Sequence, residues 1–296
     1  MKDLVIGVFS NHGLPEIKPW VNSLAKTDFA GEKVVVVSNV TQDVIDYLKS
    51  HDYKIYHQQV MYFPVVERFF AIPEVLKDFI DIRYVITTDV RDVIFQKNPS
   101  EWLENNLKAP ILASGEGLLY RDEPWSHRNM VNSFGEEEYE NMKDRQIRCA
   151  GVIAGEYGEL VPFLRNIWLL CQNKPSIIQG GGGPDQAAYN ILLRDLEKSN
   201  PNLIHYVSNN DDWACQAGTT IPAIKAGSGD IGYLYQAKFF PGLFEDELKK
   251  IMLDEPPVFD HGIVKNSKYQ DYYIVHQYNR IPDWNKELIE RYVPNV

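Results

Sequence analysis

Four short apolar runs, each separated from the next by a segment of helical character, set the main limit on how this 296-residue chain can fold. Leu4 to Phe9, Lys33 to Ser38, Lys54 to His57 and Tyr84 to Thr88 are rich in Val, Ile, Tyr and Phe, residue types that suit a pleated, buried surface. Runs without polar alternation belong to strands covered on both faces, as in parallel sheets. Between them, the spacing predicts helices over Pro19 to Lys26, Thr41 to Ser50 and Val65 to Phe79. In the second, Thr41 is the cap and Asp43 lies in the first turn. In the third, Val66, Phe69, Phe70 and Leu76 recur near the helix period, and Pro73 predicts a kink. Strand and helix alternating in this way call for right-handed crossovers. They predict an α/β fold whose mostly parallel central sheet is flanked by helices.

The pattern loosens after Phe95. Pro99 to Leu107 reads as a helix and Pro110 to Ser114 as a strand, followed by a long polar segment, Leu118 to Arg148, expected to be largely loop. Cys149 to Ala154 is another strand and Gly158 to Gln172 an amphipathic helix. Gln179-Gly-Gly-Gly-Gly-Pro184 breaks regular structure, and Asp185 to Glu197 is a helix opened by Pro184 and Asp185. The last third alternates short strands with turns at Gly218, Gly227 to Gly232 and Pro256-Pro257. It closes with the strand Tyr272 to Gln277 and a charged helix, Trp284 to Arg291.

A net charge of −11 argues against a nucleic-acid-binding surface, which needs clustered Lys and Arg. Cys149, Cys171 and Cys215 are too few and too widely spaced for a disulfide framework or a zinc ribbon, so they are expected to be reduced and structural. No stretch reaches the roughly 18 apolar residues of a membrane span, and the short apolar run at the N-terminus reads as a first strand, not a signal sequence. The expectation is a cytoplasmic protein.

Tyr84-Val-Ile-Thr-Thr-Asp89-Val-Arg-Asp92-Val-Ile-Phe95 sets two carboxylates directly behind a buried strand. In open α/β sheets ligands sit outside the carboxyl ends of the strands, and a pair of carboxylates there suits a hard divalent cation. The alternative is a strand-end turn in which an aspartate caps the following backbone. His276, at the end of the apolar run Tyr-Tyr-Ile-Val-His276, completes a candidate ligand set of Asp89, Asp92 and His276. Two carboxylates and one imidazole suit Mn²⁺, or Mg²⁺, with positions left for phosphate oxygens. A histidine in that place can equally be a core or surface residue.

Four motifs in order now carry a resemblance: Asp89-Val-Arg-Asp92-Val-Ile, the small-residue strand Cys149-Ala-Gly-Val-Ile-Ala-Gly155, the helix opening Asp185-Gln186 with Tyr189 close behind, and Val275-His276-Gln-Tyr-Asn279. Together they resemble glycosyltransferases of the GT-A fold, in particular the glycosyltransferase domain of procollagen lysyl hydroxylases and collagen-glucosyltransferase-like proteins. The resemblance implies one glycosyltransferase domain over 1–296, with a nucleotide-binding half (1–95) and an acceptor-side half (96–296). It implies a nucleoside-diphosphate sugar donor, most simply a UDP-sugar, whose phosphates are neutralised by the metal. The family's acidic run before its Asp-Gln pair is replaced here by glycines, so the expected acceptor is a glycan or other sugar-bearing hydroxyl and not collagen lysine.

On this reading Asp185 orients or deprotonates the acceptor, or else merely caps its helix, while Gln186 and Tyr189 bond sugar hydroxyls. Gly151 leaves room for the donor sugar, and Ser10, Asn11, Ser38 and Asn39, at the ends of the first two strands, contact the nucleoside. Asn279 belongs to the same donor set. Arg68 adds a guanidinium to the phosphates, or is a solvated helix-face arginine, and Arg91 is a salt-bridge partner for one aspartate. Trp125, Trp213, Tyr120 and Tyr235 are sugar-stacking aromatics or core residues, and Asp211-Asp212 an acceptor contact or a solvated turn. Two other activities fit parts of the pattern. A nucleotide-sugar-forming nucleotidyltransferase would carry a basic glycine-rich loop after the first strand, which Ser10-Asn-His-Gly-Leu-Pro15 lacks. A non-catalytic sugar-binding module would not need the Asp-Asp-His set.

Overall fold

The computed structural model describes residues 1–59, 63–174, 182–218 and 257–293. The expected strands form: β1 (Lys2–Ser10), β2 (Glu32–Ser38), β3 (Lys54–His57) and β4 (Ile82–Thr88). They pair in parallel in the order β3-β2-β1-β4. The sheet continues through β7 (Gln146–Glu156), β6 (Ile111–Leu119) and β8 (Ile204–Val207), with β7 antiparallel to both of its neighbours. It is thus a mostly parallel seven-stranded sheet.

Both faces are covered, as unalternating runs require. On one face Leu4, Ile6, Val34 and Val36 pack with helices α3 (Pro64–Leu76), α7 (Tyr157–Cys171) and α8 (Asp185–Ser199). On the other, Val5, Phe9, Val35 and Val37 meet α1 (Leu14–Ala25), α2 (Gln42–Ser50) and α4 (Pro99–Asn106). Helix α1 starts five residues before its expected beginning, because Pro15 occupies an opening position where its missing N–H costs nothing. Pro19 is then interior and buried. Pro73 likewise lies inside α3, and the helix continues past it.

The segment 118–148 differs from the expected loop. β6 runs on to Leu119, and α5 (Pro124–Phe134) and α6 (Glu136–Met142) follow. The Glu123 carboxylate caps α5 by accepting from the Trp125 and Ser126 amides, and Gly135, at φ +93°, supplies the break between the two helices. Polar composition hid a small core of Leu118, Tyr120, Met130, Tyr139, Met142 and Ile147.

A second, three-stranded sheet is built from β5 (Val93–Phe95), β12 (Ile274–His276) and β9 (Ala214–Gln216), with β12 in the centre. A hairpin of β10 (Val258–Asp260) and β11 (Ile263–Lys265) and the terminal helix α9 (Pro282–Tyr292) pack near it. The expected turns between 219 and 256 lie outside the described residues. The three cysteines are free and buried, as expected. Among the described residues no helix is long and apolar enough to cross a membrane.

Candidate metal centre

The turn after β4 is held by its apolar member. Val90 is buried against Gly7 of β1, where a Cβ would collide with the valine side chain. With Val90 turned inward and the Asp89 amide donating to Gly151 O at 2.8 Å, the carboxylates of Asp89 and Asp92 face the carboxyl edge of the sheet. Arg91 is exposed and makes no ion pair among the described residues, so its expected bridge to an aspartate does not form.

The histidine arrives through strand pairing. Val93, immediately after Asp92, is the register partner of His276, and the Asp92 carbonyl accepts from the Gln277 amide at 2.6 Å. His276 Nε2 consequently lies 3.3 Å from Asp89 Oδ2 and 3.7 Å from Asp92 Oδ1. One ligand atom from each of the three residues falls within 4.8 Å of the other two. Nε2 is buried and makes no hydrogen bond to the protein. A buried polar atom without a partner is costly, and here it faces two carboxylates. Such a donor set fits a divalent cation that accepts mixed oxygen and nitrogen ligands.

The ring's other nitrogen is engaged, with Gln216 Oε1 at 2.8 Å and Cys149 Sγ at 3.4 Å. Burial alone would make His276 less basic, but the Cys149 sulfur and the Asp92 and Asp89 carboxylates raise its affinity for a proton well above the ordinary range. Space for the ring comes from Gly151, where a Cβ would stand 2.7 Å from Nε2 and 3.0 Å from Asp89 Oδ2. The glycine was expected to make room for a sugar, yet the group it admits is the imidazole.

Arg68 joins this centre to Asp185. Its Nη1 donates to Asp89, while Nη2 donates to Asp185 Oδ2 and to Ala150 O, both at 3.1 Å, and Nε to Val65 O at 3.0 Å. Four of the five guanidinium N–H groups are thereby used, so at most one remains for a phosphate. The solvated-face alternative does not hold, since the side chain is only 11% exposed. Burial would raise the Asp89 pKa, but Arg68 and His276 outweigh it and hold the carboxyl at about 2. For Asp185 burial prevails over Arg68 and raises its pKa from the ordinary aspartate value. Pro184, not Asp185, holds the cap position of α8, and no side chain caps that helix.

The other expected contacts divide. Ser10 and Ser38 are register partners at the carboxyl ends of β1 and β2. Beside them Asn39 Nδ2 donates to Asn11 Oδ1 at 2.7 Å, and both asparagines are exposed with positive φ. They form a polar ledge on the expected edge. Gln186 accepts from the Ala150 amide at 3.5 Å. Asn279 is exposed on the turn after His276 and joins no hydrogen bond among the described residues.

Tyr189, Trp213 and Tyr120 are fully buried and pack in the core, which removes them as sugar contacts. Asp212 accepts from Trp102 Nε1 at 2.7 Å, and Asp211 from the Ser208 amide at 2.7 Å, so this pair is a structural turn. Trp125 is half-buried beneath Gly182. Tyr235 lies outside the described residues.

Three residues near the centre were missed. Gln216 and Cys149 contact His276, and Glu116 lies buried on β6, where burial and the Glu123 carboxylate push its pKa up to about 7. A lone Glu inside the run Ile-Leu-Ala-Ser-Gly-Glu-Gly-Leu-Leu was the available signal for the last.

The centre and its sheet define an α/β protein with a carboxylate-imidazole cluster at the carboxyl edge of its parallel strands. No family model matches the chain, and neither does any curated protein. Among solved structures it is similar to the glycosyltransferase GlyE of Streptococcus pneumoniae TIGR4, at 14% identity and a TM-score of 0.44. That alignment covers 98% of this chain and 62% of the other, so this chain spans less than two thirds of that structure's length.

Proposed function

We propose that this chain is a metal-dependent glycosyltransferase of the GT-A type, moving a hexose from a nucleoside-diphosphate sugar, most simply a UDP-sugar, to a hydroxyl of a glycan or other glycosylated acceptor. The observation that carries the reading is the convergence of Asp89, Asp92 and His276, with Nε2 of the histidine buried and unbonded between the carboxylates. Those three residues would hold Mn²⁺ or Mg²⁺, and 1–296 would act as one domain. Bound there, the cation supplies positive charge to the two phosphates as the glycosidic bond breaks.

Around it the chain's own groups divide the work. Arg68 fixes the orientation of Asp89 and lends its remaining N–H to the same anionic region. Asp185, buried and less acidic than an ordinary aspartate, is suited to accept a proton from an acceptor hydroxyl, and Gln186 lies beside it. The polar ledge of Ser10, Asn11, Ser38 and Asn39 offers hydrogen-bonding groups to the nucleoside, while Asn279 and the backbone at Gly151 border the donor.

The test is donor hydrolysis across UDP-, GDP- and CDP-sugars, with and without Mn²⁺. Turnover of one donor that needs Mn²⁺ and disappears in Asp92→Ala supports the proposal. Turnover that survives chelation or the substitution sinks it.

A further inference from the structure

His276 offers Nε2 to a cation only if its other nitrogen carries the proton, and the groups around Nδ1 decide whether it does. We propose that Gln216 is the positioning residue of the metal centre: its amide oxygen accepts the Nδ1 proton and thereby aims the Nε2 lone pair between Asp89 and Asp92. The proposal rests on the cation-binding reading of that centre.

The geometry comes from the small sheet. Gln216 ends β9 and His276 ends β12, and in the parallel pairing of these strands the two residues are direct register partners. Both are buried, at 1% and 2% exposure, and Oε1 stands 2.8 Å from Nδ1. An amide oxygen has no proton to give, so across this contact Nδ1 must be the donor. The competing neighbour is weaker. Cys149 Sγ lies at 3.4 Å and already accepts from the Gly151 amide. A ligating imidazole whose second nitrogen bonds an outer acceptor is held in one tautomer and one rotation, and loss of such a partner weakens metal binding by about 10–100-fold. A neutral amide makes the imidazole less basic than a carboxylate partner would.

The experiment compares the full chain with Gln216→Leu and Gln216→Glu in two readouts. The first is Mn²⁺ binding by calorimetry. The second is the imidazole Nδ1–H resonance of the metal-free ¹⁵N-histidine protein, assigned by its absence in His276→Gln. Gln216→Leu is expected to weaken Mn²⁺ binding by about 10–100-fold and to lose the Nδ1–H signal, while Gln216→Glu keeps the signal and binds Mn²⁺ at least as tightly. A folded Gln216→Leu protein with wild-type Mn²⁺ affinity, or with the resonance intact, overturns the proposal. Should Gln216→Leu not fold, Gln216→Glu decides: a tenfold loss of affinity overturns it, and retained or tighter binding supports it. If the wild-type chain binds no Mn²⁺, the cation reading fails. The resonance then tests the hydrogen bond alone, and its loss in Gln216→Leu still assigns Gln216 as what orients His276.

Discussion

Gly151 and His276 occupy one volume between them: a Cβ on the glycine would stand 2.7 Å from Nε2 of the imidazole. The smallest enlargement of residue 151 must therefore displace the ring from the Asp89–Asp92 pair. Gly151→Ala is expected to lower Mn²⁺ affinity at least tenfold. It is also expected to cost about 1–3 kcal/mol of stability, the usual range for overpacking a tight interior. Calorimetric titration and urea unfolding of the same sample read both, and a variant that binds Mn²⁺ normally would show that the ring need not sit there.

Arg68 compensates two carboxylates at once, the buried Asp185 and Asp89, whose side chain is 35% exposed. Arg68→Met strips the buried Asp185 of its counter-charge and leaves Asp89 with His276 alone, and stranding a buried carboxylate in this way typically costs about 3–5 kcal/mol. Adding Asp185→Asn should restore part of that loss, because one of the stranded charges is gone. The double variant would then be more stable than Arg68→Met alone, a non-additivity that urea unfolding of all four proteins detects.

Cation binding should stabilise the fold by mass action. At a Mn²⁺ concentration 100 times its dissociation constant the gain is about 2.7 kcal/mol, visible as a rise in the melting temperature of the wild-type chain. In Asp92→Asn the rise should vanish, while the same scan in excess EDTA returns a melting temperature near the wild-type EDTA value. An undiminished Mn²⁺ shift in that variant would place the cation elsewhere.

Glu116 gives the fold a pH dependence of its own. In the folded chain burial and Glu123 hold its pKa up to about 7, against an ordinary 4.5. Between those values the folded state binds more protons than the unfolded one, so this residue makes stability fall as pH rises from 4.5 to 7. At about 1.4 kcal/mol per unit the fall is on the order of 3 kcal/mol, and the shift of Glu123 has the same sign. Glu116→Gln should remove that slope in EDTA-treated protein. Its stability advantage over wild type would be small at pH 5 and near full at pH 7.5, and an advantage independent of pH would assign the burial cost to another group.

The first half of the fold could be read because each level of the sequence agreed: β-branched runs, periodic helices and short connections over residues 1–95 point to one arrangement. Where composition and packing disagreed, the reading failed. Glu136, Glu137 and Glu138 in succession suggest solvent, yet they open a helix whose Tyr139 and Met142 are buried. The convergence of Asp89, Asp92 and His276 was legible because two carboxylates stand directly behind a buried strand and His276 also closes one. Its surroundings were not. Whether Gly151 admits a sugar or a ring depends on pairing between β5 and β12, whose partners lie some 180 positions apart, and whether Arg68 meets a phosphate or two aspartates depends on α8 bringing Asp185 to it across 117 positions. Tyr189 was read as a ligand contact through the family resemblance, and Trp213 stayed open between ligand and core because an aromatic in a short segment carries no mark of its burial.

Strand β12 is the middle of its sheet, with β5 on one side and β9 on the other. A ribosome releases both outer strands and both aspartates long before it reaches residue 276. Until then the acidic pair stands without its nitrogen donor, and the two flanking strands have exposed edges. Closure of this Asp89, Asp92 and His276 clasp is for that reason a late event in the biogenesis of the molecule, and a nascent chain stopped short of that strand would be left without it.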